Sequence, residues 1–255
     1  MPENDLKIDI AGEIATLTMN RPHKRNAMCD RLLGEIDAFF AAPPKEVKAV
    51  VLTGTAGHFC AGLDLSEHVA RDAEGTMRHS RNWHSVMDRI QFGGLPVVSA
   101  MCGAVIGGGL ELAAATHVRL AEPSTIFQLP EGRRGIFVGG GASVRVGRIL
   151  GADRLTEMML TGRKYSAGEG YALGLAHYLV DEGKALDEAR KMAAKIAQNA
   201  PLSNYIMIQA LARIEDMSKT DGLFTESLCA ALTQTSPDAV EGLAAFLEKR
   251  PPAFG

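Results

Sequence analysis

The chain has 255 residues, 46% of them hydrophobic, and a formal charge of -3, which suits one large domain or a main domain with a small appendage. Lys and Arg are scattered without net excess, so neither composition nor charge pattern supports a nucleic-acid partner. Cys29, Cys60, Cys102 and Cys229 lie far apart with neither metal-ligand spacing nor a dense disulfide framework. No apolar run reaches the roughly 18 residues of a membrane span, and the N-terminus lacks a basic region followed by an apolar one. The expectation is a cytoplasmic protein with reduced thiols and no membrane partner.

Leu6 to Met19 alternates apolar and polar residues around Ala11-Gly12-Glu13, predicting a hairpin whose two strands look like edge strands. Leu32, Leu33, Ile36, Phe39 and Phe40 then recur at helical spacing until Pro43-Pro44. Val47 to Thr53 is nearly continuous and β-branched, the pattern of a strand covered on both faces. Residues 66–92 read as mainly helical and carry the one tryptophan, Trp83, with His68, His79 and His84. Leu95 to Met101 predicts another buried strand, Gly107-Gly108-Gly109 opens a helix through Ala115, and His117 to Ala121 is a strand again. Strand, glycine turn, helix and strand in succession point to an α/β layered domain. From about Arg145 onward the strands run out, and helices are expected over 185–199, 201–213, 221–233 and 237–249, the last capped by Ser236 with Pro237 in its first turn. Without a flexible linker, this tail should pack on the core or on another subunit.

Chemistry concentrates in three places. Gly107 to Glu111 sets unhindered amides at a helix start, where N–H groups lack partners and the dipole favours negative charge. The segment is neither G-x-x-x-x-G-K-[ST] nor G-x-G-x-x-G, which disfavours a nucleotide, whereas a developing enolate oxygen is a suitable occupant with Glu111 beside it. A first-turn glutamate can equally do no more than complement the dipole. Glu131, in Phe127-Gln128-Leu129-Pro130-Glu131, is a second acid, or an exposed loop glutamate. Gly57 to Glu67 ends a strand in a loop that opens a helix; its amides could supply a second oxyanion donor, with Asp64 as a cap in either reading. His68, His79 and His84 lack H-E-x-x-H spacing, so pocket lining or surface is expected rather than zinc. No G-x-S-x-G elbow marks a serine hydrolase.

In sequence order, Ile14 to Pro22 with Lys24-Arg25-Asn26-Ala27, Phe59 to Glu67, Gly103 to Glu111, Gln128 to Glu131, Leu160 to Arg163, and Glu241-Gly242 with Ala245 to Arg250 resemble the crotonase family, also called the enoyl-CoA hydratase/isomerase family. The resemblance spans essentially the whole chain. It implies an α/β spiral of ββα turns over 1–195 carrying the acyl-CoA site, followed by a helical trimerisation region over 196–255, with trimers often paired as hexamers. It places the oxyanion hole at the amides of Leu63 and Gly108 and the two hydratase acids at Glu111 and Glu131. It assigns substrate contacts to Lys24, Arg25, Ala61 and Asp64, and to Phe246 and Lys249 from a neighbouring subunit. Coenzyme A arrives as part of the substrate, and neither a metal nor a redox cofactor is required.

Holding both acids favours hydration of an enoyl thioester to a 3-hydroxyacyl thioester. The alternatives are double-bond isomerisation, hydration followed by cleavage of an aryl product, or noncatalytic acyl-CoA binding. The acyl tail is expected between residues 66–92 and the loop after Glu131. There Gly132 to Val138 departs from the common pattern, with Arg133-Arg134 either salt-bridging inside a trimer, the favoured reading, or meeting a substrate carboxylate.

Overall fold

The computed structural model describes residues 4–67 and 71–254; His68 lies outside them. The opening hairpin is present: β1 (Leu6–Ala11) pairs antiparallel with β2 (Ile14–Met19), from Leu6 opposite Met19 to Ala11 opposite Ile14. Gly12 makes the turn at φ 60°, a left-handed conformation that suits glycine. After a 3-10 turn at Pro22–Lys24, α1 (Asp30–Ala41) buries Leu32, Leu33, Ile36, Phe39 and Phe40, the predicted stripe. β3 (Ala49–Gly54) follows, then a 3-10 turn at Leu65–Glu67 and α2 (Ala73–Phe92).

The next stretch shows the repeating unit. β4 (Val97–Met101) leads to β5 (Ala104–Ile106), α3 (Gly108–Ala114), β6 (Val118–Ala121) and β7 (Ile126–Gln128). A 3-10 turn at Glu131–Arg134 leads to α4 (Ala142–Leu150) and α5 (Ala152–Thr161). Then come β8 (Tyr165–Ser166), α6 (Ala167–Ala172), β9 (Tyr178–Leu179) and α7 (Ala185–Ala197). The tail is α8 (Pro201–Ile214), α9 (Lys219–Gln234) and α10 (Pro237–Glu248), the last capped by Ser236 with Pro237 in its first turn.

Successive turns of the chain contribute strands to two sheets. The larger runs β1-β2-β3-β4-β6-β9 and is parallel from β2 onward; the smaller runs β5-β7-β8. Single bridges of Cys60 to Val105 and Met28 to Leu63 carry the small-sheet side back to the earlier turns. This is the spiral of ββα turns. Two expectations are corrected. Only β1 of the first hairpin is an edge, because β2 pairs with β3 on its other side. Strands also continue past Arg145, as β8 and β9; at two residues each, they are too short for alternation to register.

The larger sheet is covered on both faces, as the β-branched run at β3 implied. Val50 and Leu52 enter one core with the side chains of α1 and α2, while Ala49 and Val51 enter a second core with Ala185, Ala189, Ala193 and Ala197. Alanine at every fourth position gives α7 a smooth stripe on which the strands pack closely. Beyond α7, helices α8 to α10 pack mainly on one another, with α8 also reaching α2, and leave Leu223, Phe224, Leu232, Val240, Leu243 and Phe246 exposed. Among the described residues, no helix is long and apolar enough to cross a membrane.

Candidate active site

The predicted acids and amides face a single cavity of about 150 Å³. Leu63, Gly107, Gly108, Glu111 and Glu131 line one side of it; α2 supplies Thr76, His79, Ser80 and Trp83, and the loop after Glu131 supplies Arg134 and Ile136 through Gly140. The cavity thus lies where the acyl tail was expected.

Backbone connections bring the distant segments together. Gly107 N–H donates to the Gln128 carbonyl at 2.9 Å, fastening the start of α3 to the end of β7 and drawing Glu131 alongside. The approach is close enough that a Cβ on Gly107 would stand 2.8 Å from Glu131 Oε1. On the other wall, Met28 N–H donates to Gly62 O and Asp64 N–H to Met28 O. These bonds flank Leu63, so its own amide faces away from Met28. Among the described residues, neither the Leu63 nor the Gly108 amide donates to a protein acceptor. Two N–H groups without internal partners, on the same cavity, are what an oxyanion requires.

Trp83 explains part of the glycine pattern. A Cβ at Gly108 would lie 2.8 Å from its ring, and one at Gly140 would lie 2.9 Å from the ring and 2.5 Å from Glu111 Oε2. The indole therefore sits between the Gly108 amide and the loop that holds Glu111. A side chain at either glycine would displace it.

The two glutamates, both buried, are provisioned differently. Glu111 Oε1 accepts from Gly140 N–H at 2.8 Å and from Ala142 N–H at 3.0 Å. Burial pushes its pKa up, and the Ala142 and Gly140 amides with the Arg145 charge push back. Glu131 Oε2 is buried without a hydrogen-bond partner. Burial pushes Glu131 up to about 7; its own backbone amide opposes this, Glu111 adds to it and Arg134 opposes it. Burial raises both carboxyls overall; the Ala142 and Gly140 amides and Arg145 oppose the rise at Glu111, and Glu131 has fewer donors to oppose it.

The remaining predicted site residues fall into two groups. Lys24, Arg25, Ala61 and Asp64 gather beside Leu63. Ala61 N–H donates to Arg25 O at 3.0 Å, Lys24 Nζ donates to Ser66 Oγ at 2.7 Å, and Arg25 is exposed. Asp64 is engaged within the protein: its carboxylate accepts from Arg21 Nη2 at 2.9 Å and from Ser66 N at 3.0 Å and Oγ at 2.7 Å. Burial acts to raise its pKa, but these Ser66 and Arg21 contacts win and hold it at about 2. It caps the 3-10 turn after Leu63. Phe246, 79% exposed, and Lys249, the left-handed C-cap of α10, do not line the cavity.

Arg133 and Arg134 diverge. Arg133 Nη2 donates to Thr161 O at 2.8 Å, while Arg134 turns to the cavity. His79 meets Asp30 at 3.0 Å, and His84 lies 3.5 Å from Ser80. Among the described residues, no group of three or more His, Cys, Asp or Glu side chains is placed to hold a metal. Sequence reasoning missed the Gly140 and Ala142 amides and Arg145. A second glycine run, Gly139-Gly140-Gly141 ahead of a helix, was the available signal.

Paired free amides opposite paired carboxyls have the chemistry that proton transfer to and from a substrate needs when charge passes onto an oxygen. The family model for enoyl-CoA hydratase/isomerase matches residues 9–255. The 2,3-dehydroadipyl-CoA hydratase of Escherichia coli is 32% identical over 98% of both chains. Human enoyl-CoA hydratase domain-containing protein 2, mitochondrial, is 34% identical over 94% of this chain and 85% of its own. Among solved structures, a candidate enoyl-CoA hydratase from Rhodopseudomonas palustris superposes with a TM-score of 0.94 at 47% identity, covering 96% of this chain and 95% of the other. The chain belongs to the enoyl-CoA hydratase/isomerase family, the crotonase family.

Proposed function

We propose that the protein is an enoyl-CoA hydratase, adding water across the C2–C3 double bond of an enoyl-CoA to give a 3-hydroxyacyl-CoA. The observation that carries this is the contrast between two carboxyls on one cavity, Glu111 gripped by two amides and Glu131 with an unpartnered oxygen. The β-carbon of an enoyl thioester accepts water only when charge can move onto the thioester oxygen, where the Leu63 and Gly108 amides receive it. Glu111, as carboxylate, takes a proton from water while the water oxygen bonds to C3. Glu131, as acid, gives its proton to C2. The turnover leaves Glu111 protonated and Glu131 ionised, and transfer of one proton between them, directly or through solvent, restores the starting state. Neither step calls for a metal or a redox cofactor.

Coenzyme A is proposed to lie along Lys24, Arg25 and Ala61, with the thioester at Leu63 and Gly108 and the acyl chain against Trp83, Ile136, Phe137 and Val138. A homotrimer or homohexamer is proposed for the assembly. The exposed apolar side chains of α8 to α10 support it, with Phe246 and Lys249 reaching a neighbour's coenzyme.

A panel of short, long and aromatic enoyl-CoA thioesters, followed for loss of conjugation and for product identity, tests the reading. The expected result is a 3-hydroxyacyl-CoA from at least one member. A shifted double bond or a cleaved aryl product would replace hydration with isomerisation or hydratase-lyase chemistry, and no turnover across the panel would favour a binding protein.

A further inference from the structure

The amides on Glu111 belong to the glycine turn that opens α4, and that turn is fastened to α2. Ser80 Oγ donates to Gly139 O at 2.6 Å. Arg145, one turn into α4, makes the more extensive link. Its side chain is only 9% exposed. Nε donates to Gln91 Oε1 at 2.6 Å, Nη1 to Gly140 O at 3.4 Å, and Nη2 to Asp88 Oδ1. The guanidinium also occupies the space that a Cβ on Gly141, at φ 110°, would enter. One planar fork therefore spans α2 and the carbonyl of Gly140, the same residue whose N–H holds Glu111.

We propose that Arg145 is a positioning residue: by clamping the 139–142 turn to α2, it keeps the Gly140 and Ala142 amides on Glu111 and so favours the ionised form of that carboxyl. The charges around it are consistent with that task. Arg145 itself opposes ionisation loss at Glu111. Asp88 and Glu111 sustain the Arg145 charge against burial, while Arg148, on the next turn of α4, works against it. Across the cavity stand Glu131 and Arg134, and His84 on α2 faces the turn near Arg81 and Arg145. A fork with several aligned donors can do what a single ammonium cannot.

The inference rests on Glu111 acting as the base, so its test needs a readout that does not depend on turnover. Glutamate labelled with ¹³C at the carboxyl carbon, with Glu111→Gln for assignment, reports the ionisation of Glu111 by NMR titration. In Arg145→Gln the Glu111 midpoint should rise by about one pH unit or more. Hydration kcat at pH 7 should fall by about 10²-fold, with KM little changed, as expected of a displaced rather than deleted base. Arg145→Lys should recover only a minor part of the midpoint shift and of kcat, because it restores charge without the fork; near-full recovery of the midpoint would show that charge alone sets it and overturn the clamp. Arg148→Gln, on the same helix but paired with Asp216 at the surface, should leave both unchanged. Gln91→Ala removes one acceptor without altering charge and should raise the midpoint by less, which keeps the test open if Arg145→Gln does not fold. A Glu111 midpoint that stays at the wild-type value in folded Arg145→Gln, or in Gln91→Ala where only that variant folds, overturns the proposal. A wild-type protein that hydrates no enoyl-CoA yet shows these shifts would overturn the hydratase reading and leave the clamp standing.

Discussion

The two walls of the cavity present the same side chain in opposite circumstances. Glu111 projects from a buried helix, and backbone N–H groups from a glycine turn 29 and 31 residues further along the chain close on one of its oxygens. Glu131 stands at the head of a 3-10 turn with one oxygen lacking any partner. Both are desolvated and raised by burial, so burial alone cannot separate them; what differs is the supply of donors that oppose the rise. On the proposed mechanism, one fold obtains a base and an acid from two identical residues, by placing backbone amides on one and withholding them from the other.

The largest expected effect comes from removing either partner. Glu111→Gln and Glu131→Gln should each lower hydration kcat by about 10² to 10⁴, with acyl-CoA affinity preserved, as steady-state kinetics and equilibrium binding would read. Because on the proposed mechanism both act in one addition, the double variant should be much less than multiplicatively worse. Next is Gly108→Pro, which deletes an oxyanion donor and should lower kcat by about 10² to 10³ in a variant shown by circular dichroism to be folded. Full activity there would remove Gly108 from the site.

A third prediction concerns stability and sharpens the contrast directly. The Glu131 pKa is raised from 4.5 to about 7 on folding, chiefly by burial. Below about pH 4.5 the group is protonated in both states; between there and about pH 7 the unfolded chain ionises first, so stability falls as pH rises through this window. Glu131→Gln escapes that loss. Its denaturant midpoint should match wild type near pH 4 and exceed it at pH 8, by about 1 to 3 kcal/mol in unfolding free energy after allowance for partial solvent access. The smallest effect should come from Lys24→Gln. With its side chain 39% exposed, Lys24 should contribute a salt-sensitive, several-fold share of coenzyme A affinity and almost nothing to kcat.

Much of this arrangement was legible in the sequence because its signals are local. The Leu6–Met19 alternation, the Leu32–Phe40 stripe, the β-branched run from Val47 to Thr53 and the glycine-led start of α3 each announce their structure within a few residues. The resemblance added positions for Leu63 and Glu131 that no periodicity supplies. Backbone donors from a turn about thirty residues downstream stayed hidden, since an amide leaves no residue-type signature and Gly139-Gly140-Gly141 reads as an ordinary loop until Glu111 is seen against it. Arg145 was hidden for a related reason: its partners Asp88 and Gln91 lie 57 and 54 residues away, and an arginine on a helix reads as a solvated charge until its burial is known.

The most direct test of the division between the two acids is a ¹³C carboxyl titration of the wild-type protein, with Glu111→Gln and Glu131→Gln as assignments. Burial raises both carboxyls; the account predicts that Glu131 titrates near pH 7 and that Glu111, with its two amide donors, loses its proton first. Glu131 titrating in the ordinary carboxylate range, or Glu111 retaining its proton above Glu131, would contradict it.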